Sequence, residues 1–277
     1  MGGRALVLGG GGITGAAWEI GLLTGLQEAG VDLTTADVVI GTSAGAVVGA
    51  QILSGTPLDE LYARQLREPI GEVASRMGPS VLLRFVAPML LPGDEQKARA
   101  RIGRAALRAN TMTEAARKAI ISSRLPSPDW PTRDLRITSV VAETGEFVVF
   151  TRESGVALTD AVAASCAVPL VYPPATINGR RYVDGGARSI ANADLALDFE
   201  PVVVLVPAAF ALRRSQRIEN QLAGRRSSII TADAQARKAM GSQPLDPAYR
   251  AASARAGRNQ APSVARAVGE VWSAVRA

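Results

Sequence analysis

The 277-residue chain contains no histidine. A Ser-His-Asp triad needs imidazole to take the serine proton and pass it to the leaving group, so that machinery is excluded. A nucleophilic serine here must find its base in a carboxylate, a lysine or a group from outside the chain. Cysteine occurs once, at Cys166, which rules out an intramolecular disulfide. With histidine also missing, the soft ligand clusters of zinc sites are lost, and no metal is expected. Cys166 reads as a small buried apolar residue. Lysine is scarce too: all but Lys97, Lys118 and Lys238 of the 31 basic residues are arginines. The net charge of +6 favours anionic partners, such as membrane headgroups and acidic lipids. The arginines form no dense tract and do not interleave with the few aromatics, so specific nucleic-acid binding is not expected. The uncharged run over residues 38–58 is broken by Gly41, Ser43, Gly45 and Gln51, which suits a strand, turn and helix better than a membrane span. The first residues lack the apolar core of a signal peptide, and Leu6 breaks the myristoylation pattern. These readings predict a soluble, cytoplasmic chain whose contact with membranes, where it occurs, is peripheral.

What is present begins with a core. Apolar residues make up 47% of the chain and charged residues 20%, enough for one large α/β domain or two small ones. Val38-Val39-Ile40-Gly41-Thr42-Ser43-Ala44-Gly45 is a β-branched run ending in Gly-x-Ser-x-Gly, with a small-residue helical run directly behind it. That is the strand, sharp turn and helix of a nucleophile elbow, with Gly41 and Gly45 placed where strand and helix approach most closely. Upstream, residues 5–8 read as a buried strand, followed by Gly9-Gly10-Gly11-Gly12-Ile13-Thr14-Gly15 and a helix over residues 16–27 closed by Gly30. Such a βαβ unit implies a parallel sheet, with the glycine loop and the elbow at one sheet edge.

The glycine loop has two readings. Gly10-x-Gly12-x-x-Gly15 fits a dinucleotide fingerprint, although Asp32 precedes the second strand instead of ending it. Alternatively, amides of Gly10, Gly11 and Gly12 converge as an oxyanion hole at a helix N-terminus. Downstream, helices are expected over residues 58–66, 94–107 and 113–121, and an apolar run over 80–92 reads as core or as a lid wall. A hairpin over 134–150, a helix from Thr159 capped by Thr159 or Asp160, a strand over 180–184 and a buried strand over 201–207 follow. The tail over 212–277 reads as basic and helical, with a last helix over 263–275 packing back on the sheet through Val264, Val268, Val271, Trp272 and Val275. Asp184-Gly185-Gly186 ends its strand in a turn, where the glycines leave the carboxylate unscreened and able to sit against another loop. Burial there raises its proton affinity, which a carboxylate needs in order to serve as base to an alcohol.

At Gly10-Gly11-Gly12-Ile13-Thr14-Gly15, Gly41-Thr42-Ser43-Ala44-Gly45 and Asp184-Gly185-Gly186, the sequence resembles the patatin-like phospholipases and acyl hydrolases. Ser165-Cys166-Ala167-Val168-Pro169, Tyr172-Pro173-Pro174 and Asn192 strengthen the resemblance, which covers about residues 4–207. It implies a three-layer α/β/α fold with a mainly parallel central sheet and helical lid-like insertions, forming one domain over 1–277. It also implies a Ser43-Asp184 dyad that cleaves acyl esters of lipids, with Gly10, Gly11 and Gly12 as oxyanion donors and no cofactor. Gly15, Gly41, Gly45, Gly185 and Gly186 support these motifs. Thr14 stands where the family has Arg or Lys. A catalytically weak lipid- or partner-binding protein on the same fold, and a nucleotide-binding oxidoreductase, are the alternatives.

Overall fold

The computed structural model describes residues 3–68, 83, 87, 91–208 and 216–273. Most of the apolar run over 80–92 therefore lies outside the described residues, as do Arg213, Arg214 and Val275 of the tail. Strands β1 (Ala5–Leu8), β2 (Val38–Gly41), β3 (Asp134–Val141), β4 (Phe147–Phe150), β5 (Ala175–Ile177), β6 (Arg180–Asp184), β7 (Val202–Val206) and β8 (Ser227–Thr231) form a mixed sheet. Its order is β5-β6-β3-β2-β1-β7-β8, with β4 paired to β3. The neighbours from β3 through β2, β1 and β7 to β8 are all parallel. The remaining pairs are antiparallel, including the expected β3–β4 hairpin.

Strands β1, β2 and β7 are buried along their whole length. Their side chains alternate between two cores: Leu6, Leu8, Val39, Val203 and Leu205 enter one, and Ala5, Val7, Ile40, Val202 and Val204 the other. Near-continuous apolar runs are what strands covered on both faces require. Helix α1 (Gly12–Glu28) follows β1 and starts at Gly12 instead of Ala16, because the glycine loop itself winds into its first turn. Gly30, at φ +85°, ends it as expected. Helix α2 (Ala44–Ile52) leaves the Ser43 turn directly.

The helices α3 (Leu58–Leu66), α4 (Glu95–Leu107) and α5 (Glu114–Arg124) match the expected positions. Asp94 and Thr113 cap the last two by accepting from the Lys97 and Ala116 amides. Helix α6 (Leu158–Ser165) corrects the sequence reading of its cap. Its N-cap is Ala157, and Asp160 lies in the first turn, where its carboxylate pairs with Lys118.

The tail departs most from expectation. It contains the strand β8, parallel to β7, besides the short α7 (Ile218–Gln221), α8 (Ala234–Met240) and the long α9 (Arg250–Trp272). Helix α9 starts at Arg250, well before residue 263, and its main partner is α1. Glycines bring the two helices together: a Cβ on Gly257 would stand 2.2 Å from the Trp18 carbonyl oxygen, and one on Gly21 2.0 Å from that of Ala254. Trp18 Nε1 donates to Gln260 Oε1 across this seam at 3.0 Å. Val268 and Trp272 are buried as the apolar face predicts. No helix among the described residues is long and apolar enough to cross a membrane.

The close approach makes the seam testable. Replacing Gly257 by valine should destabilise the fold by about 2–3 kcal/mol, measured by urea unfolding, because neither helix backbone can yield to the added carbons. An unchanged urea midpoint would mean that α1 and α9 are not packed this closely.

Candidate active site

The parallel pairing of β1 with β2, Leu8 opposite Gly41, puts the glycine loop and the Ser43 turn side by side at the carboxyl ends of both strands. Ser43 adopts φ 55°, ψ −115°, a conformation rarely open to a residue with a side chain. Its neighbours explain how the turn is held. A Cβ on Gly45 would lie 2.1 Å from the Leu8 carbonyl oxygen, and one on Gly41 2.6 Å from Ala46 Cα. Only glycine fits at either position without moving backbone. The Ser43 amide donates to Ser165 Oγ at 2.9 Å, and the Cys166 thiol donates to the Ser43 carbonyl oxygen at 3.2 Å.

Asp184 arrives from β6, with β3 between it and β2. Ser43 Oγ donates to Asp184 Oδ2 at 2.6 Å, while the Gly186 amide donates to Oδ1 at 2.7 Å. Ser43 and Asp184 are 8% and 4% exposed, so the pair is screened from water but not sealed off. Burial pushes the Asp184 carboxyl up to about 6; the Ser43 and Gly186 hydrogen bonds and the Arg117 charge pull the other way and lose. A rise of that size disfavours the charged form by about 3 kcal/mol. Gly185 has no room for a side chain, since a Cβ there would stand 2.3 Å from Thr138 Oγ1.

Asn192 ties these loops together. Buried and at φ 51°, it donates from Nδ2 to the Ser189 carbonyl oxygen at 2.9 Å and to Thr42 Oγ1 at 3.0 Å. Thr42 Oγ1 in turn lies 2.9 Å from Thr138 Oγ1. The residue before the serine, a strand residue of β3 and the segment after Asp184 thus share one buried polar cluster.

The glycine loop differs in one respect from expectation. Gly10 gives its N–H to the Ile190 carbonyl oxygen at 2.8 Å, because this turn of the loop is closed against the segment that follows Asp184. Its amide is therefore engaged here, and Gly10 closes the loop against that segment. No described residue accepts from the Gly11 or Gly12 amide, and both open the first turn of α1, where amides lack helical partners. Gly15 packs against Pro207. Thr14 is fully buried, with its amide donating to the Pro244 carbonyl oxygen at 3.1 Å. Asp32 caps a short turn through Thr34 and stands at no strand tip, so the acidic partner of a dinucleotide site is missing there.

Two cavities meet at Ser43. One, of about 470 Å³, is lined almost wholly by apolar atoms and runs from Gly11, Gly12 and Asp184 to Ile190, Met240 and Leu245. The other, of about 500 Å³, reaches Arg117, Tyr172 and Cys166. Arg117 was not evident from sequence: it is one arginine among many on an amphipathic helix. It is buried, its guanidinium lies 3.5 Å from the Tyr172 ring centroid, and it bonds the Cys166 carbonyl oxygen at 3.3 Å. Ser165 was visible as part of a motif but not as the acceptor of the Ser43 amide. The Cys166 thiol is pushed up to about 12 by burial, so it stays protonated and unreactive. Among the described residues, no group of three or more His, Cys, Asp or Glu is placed to hold a metal ion.

A second buried carboxyl lies on α1. Glu19 is fully buried, and burial raises its pKa well above the ordinary 4.5, against the smaller opposing effect of the Gly9 amide. The folded state thus holds protons that the unfolded chain releases first. These two carboxyls contribute stability that is fully present below their unfolded values, about 4, and is lost as pH rises through their folded values. Glu19→Gln should flatten most of that decline in thermal melts across pH; an unchanged slope would place the proton uptake elsewhere.

The geometry has relatives. A family model of the patatin-like phospholipases matches residues 6–197. No curated protein matches the chain in sequence. Among solved structures, the chain is similar to VipD from Legionella pneumophila, at 12% identity and a TM-score of 0.48, over 96% of this chain and 67% of VipD. It is also similar to the type III effector protein ExoU, at 16% identity and a TM-score of 0.40, over 96% of this chain and 53% of ExoU. The chain therefore spans about half the length of ExoU. Because the family model takes in the glycine loop, the Ser43 turn and the Asp184 loop alike, the chain belongs to the patatin-like phospholipase family.

Proposed function

We propose that the chain is a serine acyl hydrolase of lipid esters, with Ser43 as nucleophile and Asp184 as the group that takes and returns its proton. Family membership supports a lipid hydrolase in general. The observation that carries the finer reading is the 2.6 Å hydrogen bond from Ser43 Oγ to Asp184 Oδ2 at the wall of an apolar cavity. In the first step Ser43 Oγ attacks the ester carbonyl carbon while its proton passes to Asp184. The negative charge that develops on the carbonyl oxygen is held by the Gly11 and Gly12 amides at the N-terminus of α1. Collapse breaks the ester C–O bond, and Asp184 gives the proton to the departing alcohol. Water then attacks the acyl-serine, losing its proton to Asp184. The acid leaves as the proton returns to Ser43 Oγ. No metal or organic cofactor enters these steps.

With its carboxyl near 6, Asp184 is ionised at neutral pH yet binds a proton more strongly than an ordinary carboxylate. The acyl chain lies in the apolar cavity, whose volume of about 470 Å³ falls in the usual range for small-molecule sites. The arginine-rich net charge of +6 supports peripheral contact with an anionic membrane surface from the cytoplasm. We also assign residues 1–277 to a single patatin-like unit, because β8 extends the central sheet and tail residues Arg237, Met240 and Leu245 line the cavity.

Hydrolysis of a chromogenic medium-chain ester tests the dyad. Ser43→Ala and Asp184→Asn should each lower kcat by about 10³-fold or more while remaining folded, and only chains retaining Ser43 should be labelled by a fluorophosphonate. For the wild type, kcat/KM should rise with pH to a plateau with an apparent pKa of about 6, since activity needs ionised Asp184. A folded wild type that hydrolyses no ester and takes no label is a binding protein, not an enzyme. A separate measurement concerns the acyl cavity. Ala208→Trp, at an exposed position of its wall, should lower kcat/KM about tenfold for long acyl chains while sparing short ones. Equal losses for all chain lengths would remove the acyl chain from this cavity.

A further inference from the structure

Ser165, Cys166 and Ala167 are consecutive, buried, and bonded to both members of the Ser43–Asp184 pair. The Ser43 amide donates to Ser165 Oγ at 2.9 Å, and the Cys166 thiol donates to the Ser43 carbonyl oxygen at 3.2 Å. The Asp184 amide donates to the Ala167 carbonyl oxygen at 3.0 Å. One short stretch of chain thus holds the backbone on either side of the serine side chain and the backbone that carries the carboxylate.

The stretch is itself fixed. Ser165 ends α6, and the Cys166 amide donates back into that helix, to the Val162 carbonyl oxygen at 2.9 Å. The Ala167 amide reaches the Ala164 carbonyl oxygen at 3.3 Å. On Cys166, the carbonyl oxygen accepts from Arg117 Nη2 at 3.3 Å, and that guanidinium lies over the Tyr172 ring. Burial keeps the thiol protonated, so it remains a donor.

Ser43 is the residue that needs holding. At φ 55°, ψ −115° its backbone is strained, and rotation toward an ordinary conformation would swing Oγ away from Asp184 Oδ2, 2.6 Å distant. Ser165 fixes the peptide before the Cα and Cys166 the carbonyl after it, so neither φ nor ψ is free. The Ser43 carbonyl oxygen has further support from the Ala46 amide at 3.0 Å, whereas among the described residues only Ser165 accepts from the Ser43 amide. Ser165 lines neither cavity at Ser43, so its removal leaves the binding walls intact.

We propose that Ser165 and Cys166 are positioning residues that lock the Ser43 backbone in its strained conformation, with Ala167 setting Asp184 on the same frame, and that this lock governs the rate of acyl transfer to Ser43. The kinetic part rests on the hydrolase reading above.

Ser165→Ala removes the acceptor, and Ser165→Thr keeps it. With a chromogenic medium-chain ester, Ser165→Ala should lower kcat and the rate constant of fluorophosphonate labelling by about 10- to 100-fold, with KM changed by less than about twofold. Labelling should still run to completion, and Ser165→Thr should recover most of both rates. Hydrogen exchange of the Ser43 amide, read by NMR, should quicken about tenfold or more in Ser165→Ala and stay slow in Ser165→Thr. Unchanged exchange at Ser43 overturns the proposal. So does a kcat within about threefold of wild type, or a smaller labelled fraction that reacts at the wild-type rate, which marks a merely structural role. If Ser165→Ala does not fold, Ser165→Cys, whose sulfur is a weaker acceptor, is read in the same way. A wild type that neither hydrolyses ester nor takes label, with Ser43 exchange quickened in Ser165→Ala, removes the hydrolase and keeps the lock. An active wild type whose Ser165→Ala variant is as fast does the reverse.

Discussion

The hydrogen bond between Ser43 and Asp184 joins the ends of two strands that are not neighbours in the sheet. β3 stands between them, so the bond exists only while β2, β3 and β6 keep their register. An 8-residue strand pairing parallel with β2 at its start and antiparallel with β6 at its end provides that register. The buried cluster of Thr42, Thr138 and Asn192 then locks the loops that leave those strands. An Asn at φ 51° is affordable because its side chain satisfies several loops at once. The contact between Ser43 and Asp184 is therefore a property of the sheet more than of either residue. In the proposed mechanism, with no imidazole to bridge a gap, serine and carboxylate must touch directly, and the tolerance for misplacement is small.

Much of this was legible because it is local. The β-branched run into Gly41, the glycine that must clear the Leu8 carbonyl at position 45, and the Asp184-Gly185-Gly186 turn each announce a backbone approach that only glycine permits. The central strands were legible for the same kind of reason: strands covered on both faces are written as unbroken apolar runs. What failed to show depends on partners far along the chain. β8 is Ser-Ser-Ile-Ile-Thr flanked by arginines and acids, too polar to suggest a sheet position until β7 is there to pair with it. The Gly10 amide is claimed by Ile190, a residue that no spacing rule connects to the glycine loop. Arg117 is indistinguishable on its helix from arginines facing water, and only burial beneath Tyr172 sets it apart. The start of α9 was missed because Gly257 and Pro262 look like breaks in a helix. In the structure, Gly257 is the point of closest contact with α1.

The electrostatics of the site follow from two opposed demands. In the base role proposed for it, Asp184 must be dry enough to want a proton and charged enough to take one. Burial meets the first demand, and Arg117, with the Ser43 and Gly186 donors, keeps the carboxyl from rising out of the neutral range. Arg117 also lines the polar cavity beside Ser43.

The seam between α1 and α9 has a consequence for how the molecule comes into being. Helix α1 carries the glycine loop, yet its packing partner includes Gln260, 242 residues after Trp18. At ordinary translation speeds the ribosome needs roughly 10–50 s to cover that distance. During that interval β1 can find β2, and the serine turn can form, while the wall built from Met240, Pro244 and Leu245 does not yet exist. A nascent chain therefore forms the Ser43 turn before it holds the apolar cavity beside it.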